Sequence, residues 1–564
     1  MYPRICATRC ANRVVAGFEF GQRRLDLALH ADVGLLPLPA NKGRAVVFNF
    51  ECISGHGAAL SVPGGLRQCF SPLVTGRVHP YPLSIDMKIE VALVVISTLA
   101  DGIIRTIEGA RDTVNETLFE PVIRLGVTGL ARSGKTVFIT SLVANLLDRG
   151  RMAQLHAAVE GRIVAAYLQP QPDDTVPRFE YEAHLGALTA RYPHWSESTR
   201  AISELRVSLK VQPNGLLGGL QGPRTVHLDI VDYPGEWLLD LALLDKSYED
   251  WSREVLERIE IREEAEDYRK LIAQTDVTAK LDEPQAQALA ASFTDYLQSA
   301  RQLGYYDCTP GRFLLPGDLA GSPAITFAPL ADAASAARRS LGREMARRYE
   351  AYKSHIVRPF FRDHFARIDR QVVLVDALGA IHNGPRAVED LRVAMTDILS
   401  AFRPGTNAFL SKILLGKRVE RILFAASKAD HIHHKQHGEL TAIMEALTRD
   451  ARDKARFAGA ESASMAIASL RATTEEVIDH DGAPLHCVRG ALLETGKQAA
   501  FYPGQLPEDP ALLLGPARDG ATAWLDQDFQ NMRFAPAPLT LKPGFGPPHI
   551  RLDKAAQFLN GDKL

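Results

Sequence analysis

The chain has 564 residues, 46% hydrophobic and 23% charged, a globular composition that excludes a fibrous, collagen-like or wholly disordered protein. Its 65 Lys and Arg against 67 Asp and Glu leave a formal net charge of −2, so no global basic field argues for nucleic acid and no acidic tail for a solvating segment. No uninterrupted run of about 18 apolar residues argues for a spanning helix, and six cysteines without a Cys-x-x-Cys pair fit a reducing cytoplasm better than a zinc ribbon.

Residues 1–86 hold four of those cysteines, with scattered Arg, Gly and Pro and no sustained periodicity. They have basic residues but no apolar core of the kind a signal peptide needs. Translation is expected to begin at Met87, which leaves 1–86 a non-native extension; the alternative is a genuine disordered extension. From Met87 the run to Val114 reads as an amphipathic helix, opening the first part of a nucleotide domain over 87–241.

The strongest local signal is IRLGVTGLARSGKTVFITSLVANLLDRG at 123–150. It reads as a strand, a glycine-bearing turn and a helix. Gly129, Gly134, Lys135 and Thr136 fill G-x-x-x-x-G-K-[ST], in the strand–helix context that supports the motif. Glycines let the backbone close on a phosphate, and the helix start presents its N–H groups to the anion. Ser133, Gly134, Lys135, Thr136 and Val137 are the expected phosphate contacts. Lys135 would bridge the outer phosphates, and Thr136 would offer its hydroxyl to Mg²⁺. Arg132, inside the loop, is a candidate arginine finger in cis, with a solvent- or partner-facing arginine preferred. A first-switch threonine is needed shortly before the next strand; Thr199 is best placed for it, ahead of Thr175 and Thr189.

TVHLDIVDYPGEWLLDL at 225–241 reads as a buried strand ending in Asp232, followed by Gly235 in D-x-x-G. Asp232 is the expected Mg²⁺-side carboxylate, and the Gly235 N–H would meet the γ-phosphate. Glu236 takes the place where a glutamine orients water in many GTPases; its charge predicts slow hydrolysis, and a surface carboxylate is the alternative. Residues 242–365 carry helical patterns at 247–274, 283–304 and 332–365, and are expected to form a helical insertion. RQVVLVDAL at 370–378 opens the remainder of the nucleotide domain, 366–564. Its Asp376 competes with Asp232 for the Mg²⁺ role, but a helix-capping acid is the preferred reading because no glycine follows at the required place.

RILFAASKADHI at 421–432 reads as a strand followed by Ser427-Lys428-Ala429-Asp430, close to the [NT]-K-x-D pattern of guanine recognition. Asp430 can accept from guanine N1–H and the exocyclic amine, and Lys428 would lie along the base. Ala472 and Thr473, after the apolar run at 463–470, resemble the loop whose backbone touches the guanine oxygen. His433 and His437 stand i,i+4, a spacing that holds metals on helices; with no third ligand evident, an exposed helix face is preferred.

These motifs in this order resemble the YcjX family of bacterial stress-associated phosphate-loop GTPases. VTGLARSGKTVFIT, IVDYPGEWLLDL, PGRFLLPGDLAGSPA, RQVVLVDAL, SKAD and the tail PHIRLDKAAQFLNGDKL carry the resemblance. It covers about 88–564. It implies a Ras-like, mainly parallel α/β fold with a large helical insertion, GTP/GDP and Mg²⁺ as ligands, and an envelope-stress role. It further implies a cytoplasmic protein, peripheral at the inner membrane through a membrane-protein partner, and an effector still to be identified. The alternatives are an ATPase doing mechanical work through the insertion, and a nucleotide-stabilised scaffold with negligible turnover.

Overall fold

The computed structural model describes residues 8–10, 13–20, 23–36, 45–54, 120–130, 132–196, 201–213, 222–333, 336–400, 419–457, 459–524 and 529–564, with only the backbone course before residue 120. The chain divides into two units, Met1–Ala100 and Asp101–Leu564. In the first, β1 (Thr8–Cys10), β2 (Arg13–Phe20), β3 (Arg23–Leu36) and β4 (Ala45–Ser54) pair antiparallel in sequence order. This corrects the reading of 1–86 as without periodicity. Leu25, Leu27 and Leu29 alternate with Arg24, Asp26 and Ala28, and Phe48, Phe50 and Cys52 with Asn49 and Glu51, the period of two that a pleated strand repeats. The helix expected over 87–114 lies outside the described residues.

The second unit is built on seven strands: β5 (Val122–Gly129), β6 (Ile163–Gln169), β7 (Ser203–Val211), β8 (Arg224–Asp232), β9 (Arg370–Val375), β10 (Arg421–Ala426) and β11 (Glu461–Ala466). Their order is β11-β10-β9-β5-β8-β7-β6. Strands β11, β10, β9, β5 and β8 run parallel, β7 runs opposite to them, and β6 at the edge is antiparallel to β7. The mainly parallel α/β sheet is therefore as expected. All six residues of β9 are buried, which is why it reads as a continuous apolar run rather than an alternating one.

Helices cover both faces. In chain order these include α1 (Lys135–Asp148), α2 (Glu236–Leu239), α3 (Tyr248–Ile259), α4 (Glu266–Ala273), α5 (Glu283–Gln302), α6 (Leu341–Tyr352), α7 (Ala377–His382), α8 (His437–Leu447) and α9 (Leu552–Asn560). The pleat sorts side chains between them. Val372, Leu374, Leu423 and Ala425 pack with Phe138 and Leu142 of α1 and Leu552 and Leu559 of α9. Val373, Val375, Ile422 and Phe424 face the core that holds α3, α5, α6 and α8.

The periodic run 247–274 is not one helix. It breaks after Ile259, where Ile261 points to solvent and Arg262 turns inward. The buried guanidinium of Arg262 donates to Tyr296 and Asp307 and pairs with Asp390; a buried charge of this kind has to be satisfied by partners brought from elsewhere. Burial and the Asp307 charge push the Asp390 carboxyl up to about 7.

A further antiparallel sheet, β12 (Thr474–His480), β13 (Ala483–Ala491) and β14 (Gln498–Phe501), follows the main one. Its first hairpin turns through Asp481 and Gly482, both at positive φ, as a two-residue turn of that type requires. No helix among the described residues is long and apolar enough to cross a membrane.

Candidate functional site

The parallel strands end on one edge of the sheet. Val127 of β5 stands opposite Asp232 of β8, and Gly129 opposite Leu374 of β9. Ala426 of β10 stands opposite both Val375 and Ala466. The loops after these strands therefore share the edge at which open α/β sheets bind ligands.

Between β5 and α1 the backbone takes left-handed conformations at Arg132 (φ 63°) and Gly134 (φ 85°). Such reversals turn successive N–H groups toward one side, a nest for anions. Helix α1 begins at Gly134 without a side-chain cap and without an acidic residue in its first turn. Its N-terminal N–H groups and positive dipole end are thus not already neutralised by the protein. Lys135 Nζ folds back onto the Gly129 carbonyl at 2.9 Å. Ser133 Oγ is buried and finds no hydrogen-bond partner among the described residues. Arg132 is exposed, Val137 half-buried and Thr136 buried.

Asp232 is buried at the end of β8. A Cβ on Gly235 would fall 2.0 Å from the Gly129 carbonyl oxygen, so D-x-x-G lies directly against the start of the Gly129–Thr136 loop. The following residues are held by the chain between β8 and β9. Glu236, buried, accepts from Arg301 Nη2 of α5 at 2.5 Å. The Arg312 guanidinium sits 3.2 Å over the Trp237 ring, whose Nε1 donates to Leu315 O at 3.3 Å. Asp240, buried, accepts from Gly311 N at 2.7 Å and from the Tyr352 hydroxyl at 2.5 Å. Burial pushes the Asp240 carboxyl up to about 6, against the pull of those two donors and of Arg312.

Asp376 behaves as the capping acid. Its Oδ1 accepts from Gly379 N in α7 at 3.0 Å, and Lys428 Nζ pairs with its Oδ2. Lys428 is therefore placed on Asp376, and its φ of 60° turns the chain into Ala429–Asp430. Ser427 reaches back to Val375 O through both N–H and hydroxyl. Asp430, buried, accepts through Oδ2 from Ala472 N at 2.8 Å, and the Thr473 hydroxyl donates to Asp430 O. The structure thus brings Asp430, Ala472 and Thr473 together although some forty residues separate them in the chain.

The exposed histidine face does not form. His437 is buried, with Nε2 on Ala429 O at 2.8 Å and Nδ1 on Arg551 at 3.1 Å, and His431 and His433 are buried as well. Only one helical turn separates this segment from β10, so its side chains fold under the Asp430 loop. Of the anticipated site residues, Thr199 lies outside the described residues. Arg301, Arg312 and Tyr352 were not anticipated; nothing in the sequence marks an arginine near the end of one helix as the partner of a glutamate 65 positions earlier.

The donor set suits a nucleotide and a hard cation. The loop supplies uncapped N–H groups, a lysine and a buried hydroxyl, and Thr136 and Asp232 are the oxygen donors that Mg²⁺ prefers. The sequence profile of the YcjX-like family, DUF463, matches residues 123–564. A protein of Escherichia coli (strain K12), named Ras-like GTPase YcjX, is 38% identical over 456 residues, 78% of this chain and 96% of that protein. A protein of Shewanella oneidensis (strain MR-1) with the same name is 35% identical over 470 residues, covering 78% and 94%. With the Gly129–Thr136 loop, the Asp232 strand and the Asp430 loop on one edge of a mainly parallel sheet, and with these relatives, the chain belongs to the YcjX-like family.

Proposed function

We propose that the protein is a Mg²⁺-dependent Ras-like GTPase that switches between GDP- and GTP-bound forms with slow intrinsic hydrolysis. The observation that carries this reading is the gathering of the Gly129–Thr136 loop, Asp232 with Gly235, and the Asp430–Ala472 pair at the ends of neighbouring parallel strands. In this reading Lys135 leaves the Gly129 carbonyl for the outer phosphates, while the N–H groups of Ser133 to Val137 hold the phosphate chain. Thr136 and Asp232, joined by Thr199, would hold Mg²⁺, which would supply neutralisation of phosphate charge. Asp430 recognises the guanine edge beside Lys428, Ala472 and Thr473. Glu236 orients water, with Arg301 countering its charge. Residues 242–365 form an insertion that senses the segment after Asp232. An effector protein and an output in bacterial envelope stress, at the cytoplasmic side of the inner membrane, follow from the family resemblance.

An ATPase built on Asp376 gains no support from a carboxylate already engaged by Lys428 and the start of α7. The test is a titration of the chain with fluorescent GDP and ADP in Mg²⁺, beside Asp430→Asn. Preference for GDP that the variant loses is the expected result. Preference for ADP that the variant leaves intact overturns the base-site assignment.

A further inference from the structure

Three residues after Asp430 and two after Thr473, a second set of donors converges. His434 Nδ1 lies 2.6 Å from Glu475 Oε2, and His433 Nε2 lies 3.8 Å from the same oxygen. One ligand atom from each of His433, His434 and Glu475 lies within 4.8 Å of the others. The His433 ring is oriented by its other nitrogen, since Nδ1 accepts from Lys435 N at 3.4 Å. That leaves Nε2 facing the carboxylate. Glu475 is held from behind, with Oε1 accepting from His434 N at 3.2 Å and forming an ion pair with Arg471 Nη2 at 3.9 Å. His486 of β13 lies against His433 with ring centroids 4.7 Å apart and the rings tilted by 40°. Its Nε2 meets Lys435 Nζ at 2.9 Å, and its buried Nδ1 has no partner among the described residues.

We propose that His433, His434 and Glu475 form a binding site for a divalent transition-metal ion of the Zn²⁺ class. Four-coordinate Zn²⁺ at about 2.0–2.1 Å from each ligand needs donors roughly 3.4 Å apart. The two donor–carboxylate distances, 2.6 and 3.8 Å, bracket that value, so small rotations of exposed His434 and of Glu475 complete the site. Two imidazoles and one carboxylate select Zn²⁺ or Ni²⁺ over Mg²⁺, which prefers oxygen. Water fills the fourth position. Lys435 and Arg471 stand beside the site and oppose a cation, so affinity is moderate and Glu475 carries the compensating charge.

The site ties two loops together. His433 and His434 follow the Asp430 loop, and Glu475 is the second residue of β12, two after Thr473, which itself bonds to Asp430. A metal there would hold the Ala472–Thr473 loop against Asp430 and slow the escape of a bound base. This consequence rests on the guanine reading above; the metal site does not.

The experiment is a calorimetric titration of the chelator-stripped chain with ZnCl₂ in excess Mg²⁺ and without nucleotide. One Zn²⁺ per chain is expected, with affinity lowered about 10- to 100-fold or more in His434→Ala and Glu475→Gln. His480→Ala, at the exposed hairpin tip, should match the parent chain. Equal affinities in the parent, His434→Ala and Glu475→Gln overturn the site, as does an equal loss in His480→Ala. With fluorescent GDP bound, Zn²⁺ should slow its dissociation in the parent and not in His434→Ala. An unchanged rate with Zn²⁺ bound overturns the tie between the loops, and failure to bind GDP at all counts against the guanine reading alone.

Discussion

At the scale of the residue, what decides a glycine's importance is the space beside it. Gly235 and Gly438 are both glycines in or next to helices, and composition treats them alike. A Cβ at 235 would meet the Gly129 carbonyl oxygen at 2.0 Å and Leu130 N at 3.1 Å, both backbone atoms that cannot swing aside. A Cβ at 438, in the first turn of α8, meets nothing within 4 Å. Gly235→Ala is expected to destabilise the fold by about 1–3 kcal/mol and to weaken binding of a GTP analogue at least tenfold, to about a tenth or less of the parent. Gly438→Ala is expected to stabilise by about 0.5–1 kcal/mol through helix propensity. Thermal denaturation of both variants, with a nucleotide titration of the first, measures this; equal effects would show that packing on the phosphate loop does not matter. The D-x-x-G pattern marks Gly235 in the sequence, but its seat on Gly129 appears only when β5 and β8 are adjacent.

At the scale of the element, α2 and the residues after it are fastened to the chain between β8 and β9 by three different chemistries. These are the Glu236–Arg301 ion pair, the Arg312–Trp237 stack and the buried Asp240 contacts with Gly311 and Tyr352. Asp240 makes that fastening depend on pH, strongest in acid and weaker as the pH rises. Burial pushes its carboxyl from an ordinary 3.8 up to about 6 in the folded protein, so between those values the folded protein binds a proton that the unfolded chain does not. Its stabilising contribution is full below about pH 4 and is lost as the pH rises through about 6. Asp240→Asn keeps an acceptor for Gly311 and removes the titration. Urea denaturation at pH 4.5, 5.5 and 7 should show the parent losing stability relative to Asp240→Asn as pH rises. A constant difference between the two would disprove this account. The sequence marked DYPGEW as a switch and 283–304 as a helix with an apolar face, yet gave no sign that Arg301 lies under Glu236, because a pairing across 65 positions exists only in the fold.

At the scale of the whole molecule, the C-terminal tail closes the sheet. Arg370, 1% exposed at the start of β9, donates to Leu559 O at 2.9 Å and pairs with Asp562 and Glu420. Arg421 reaches Phe558 O at 2.6 Å, and Leu552, Ala555, Ala556 and Leu559 enter the core shared with α1. Helix α9 is therefore a structural member of the phosphate-loop face. Arg370→Ala is expected to cost about 2–4 kcal/mol, because it leaves the Leu559 carbonyl without its donor and takes the buried guanidinium from Glu420 and from Asp562, the latter keeping only Arg421. Deleting 552–564 is expected to abolish a cooperative unfolding transition, by exposing the apolar side of β9 and β10. Circular dichroism melts of the two variants test this, and a truncated chain that melts like the parent would refute it.

The sequence by itself determined the elements with strong local chemistry. These are the strand–glycine turn–helix at Val122–Asp148, the buried strands ending at Asp232 and just before Asp376 and Ser427, and the capping role of Asp376. Each depends on neighbours within a few residues, where periodicity and turn chemistry act. The strands of 8–54 and the Asp481–Gly482 hairpin were also written in alternation and turn residues, and scattered Arg, Gly and Cys obscured the first of these. Only the tertiary structure decided that Arg262 would break the helix over 247–274, that Ala472 would hand its N–H to Asp430, and that His433 and His434 would meet Glu475. Those pairings bridge 34 to 128 positions. Their cause is the order of parallel strands, which brings chain segments to one edge with no trace in the local pattern of either partner.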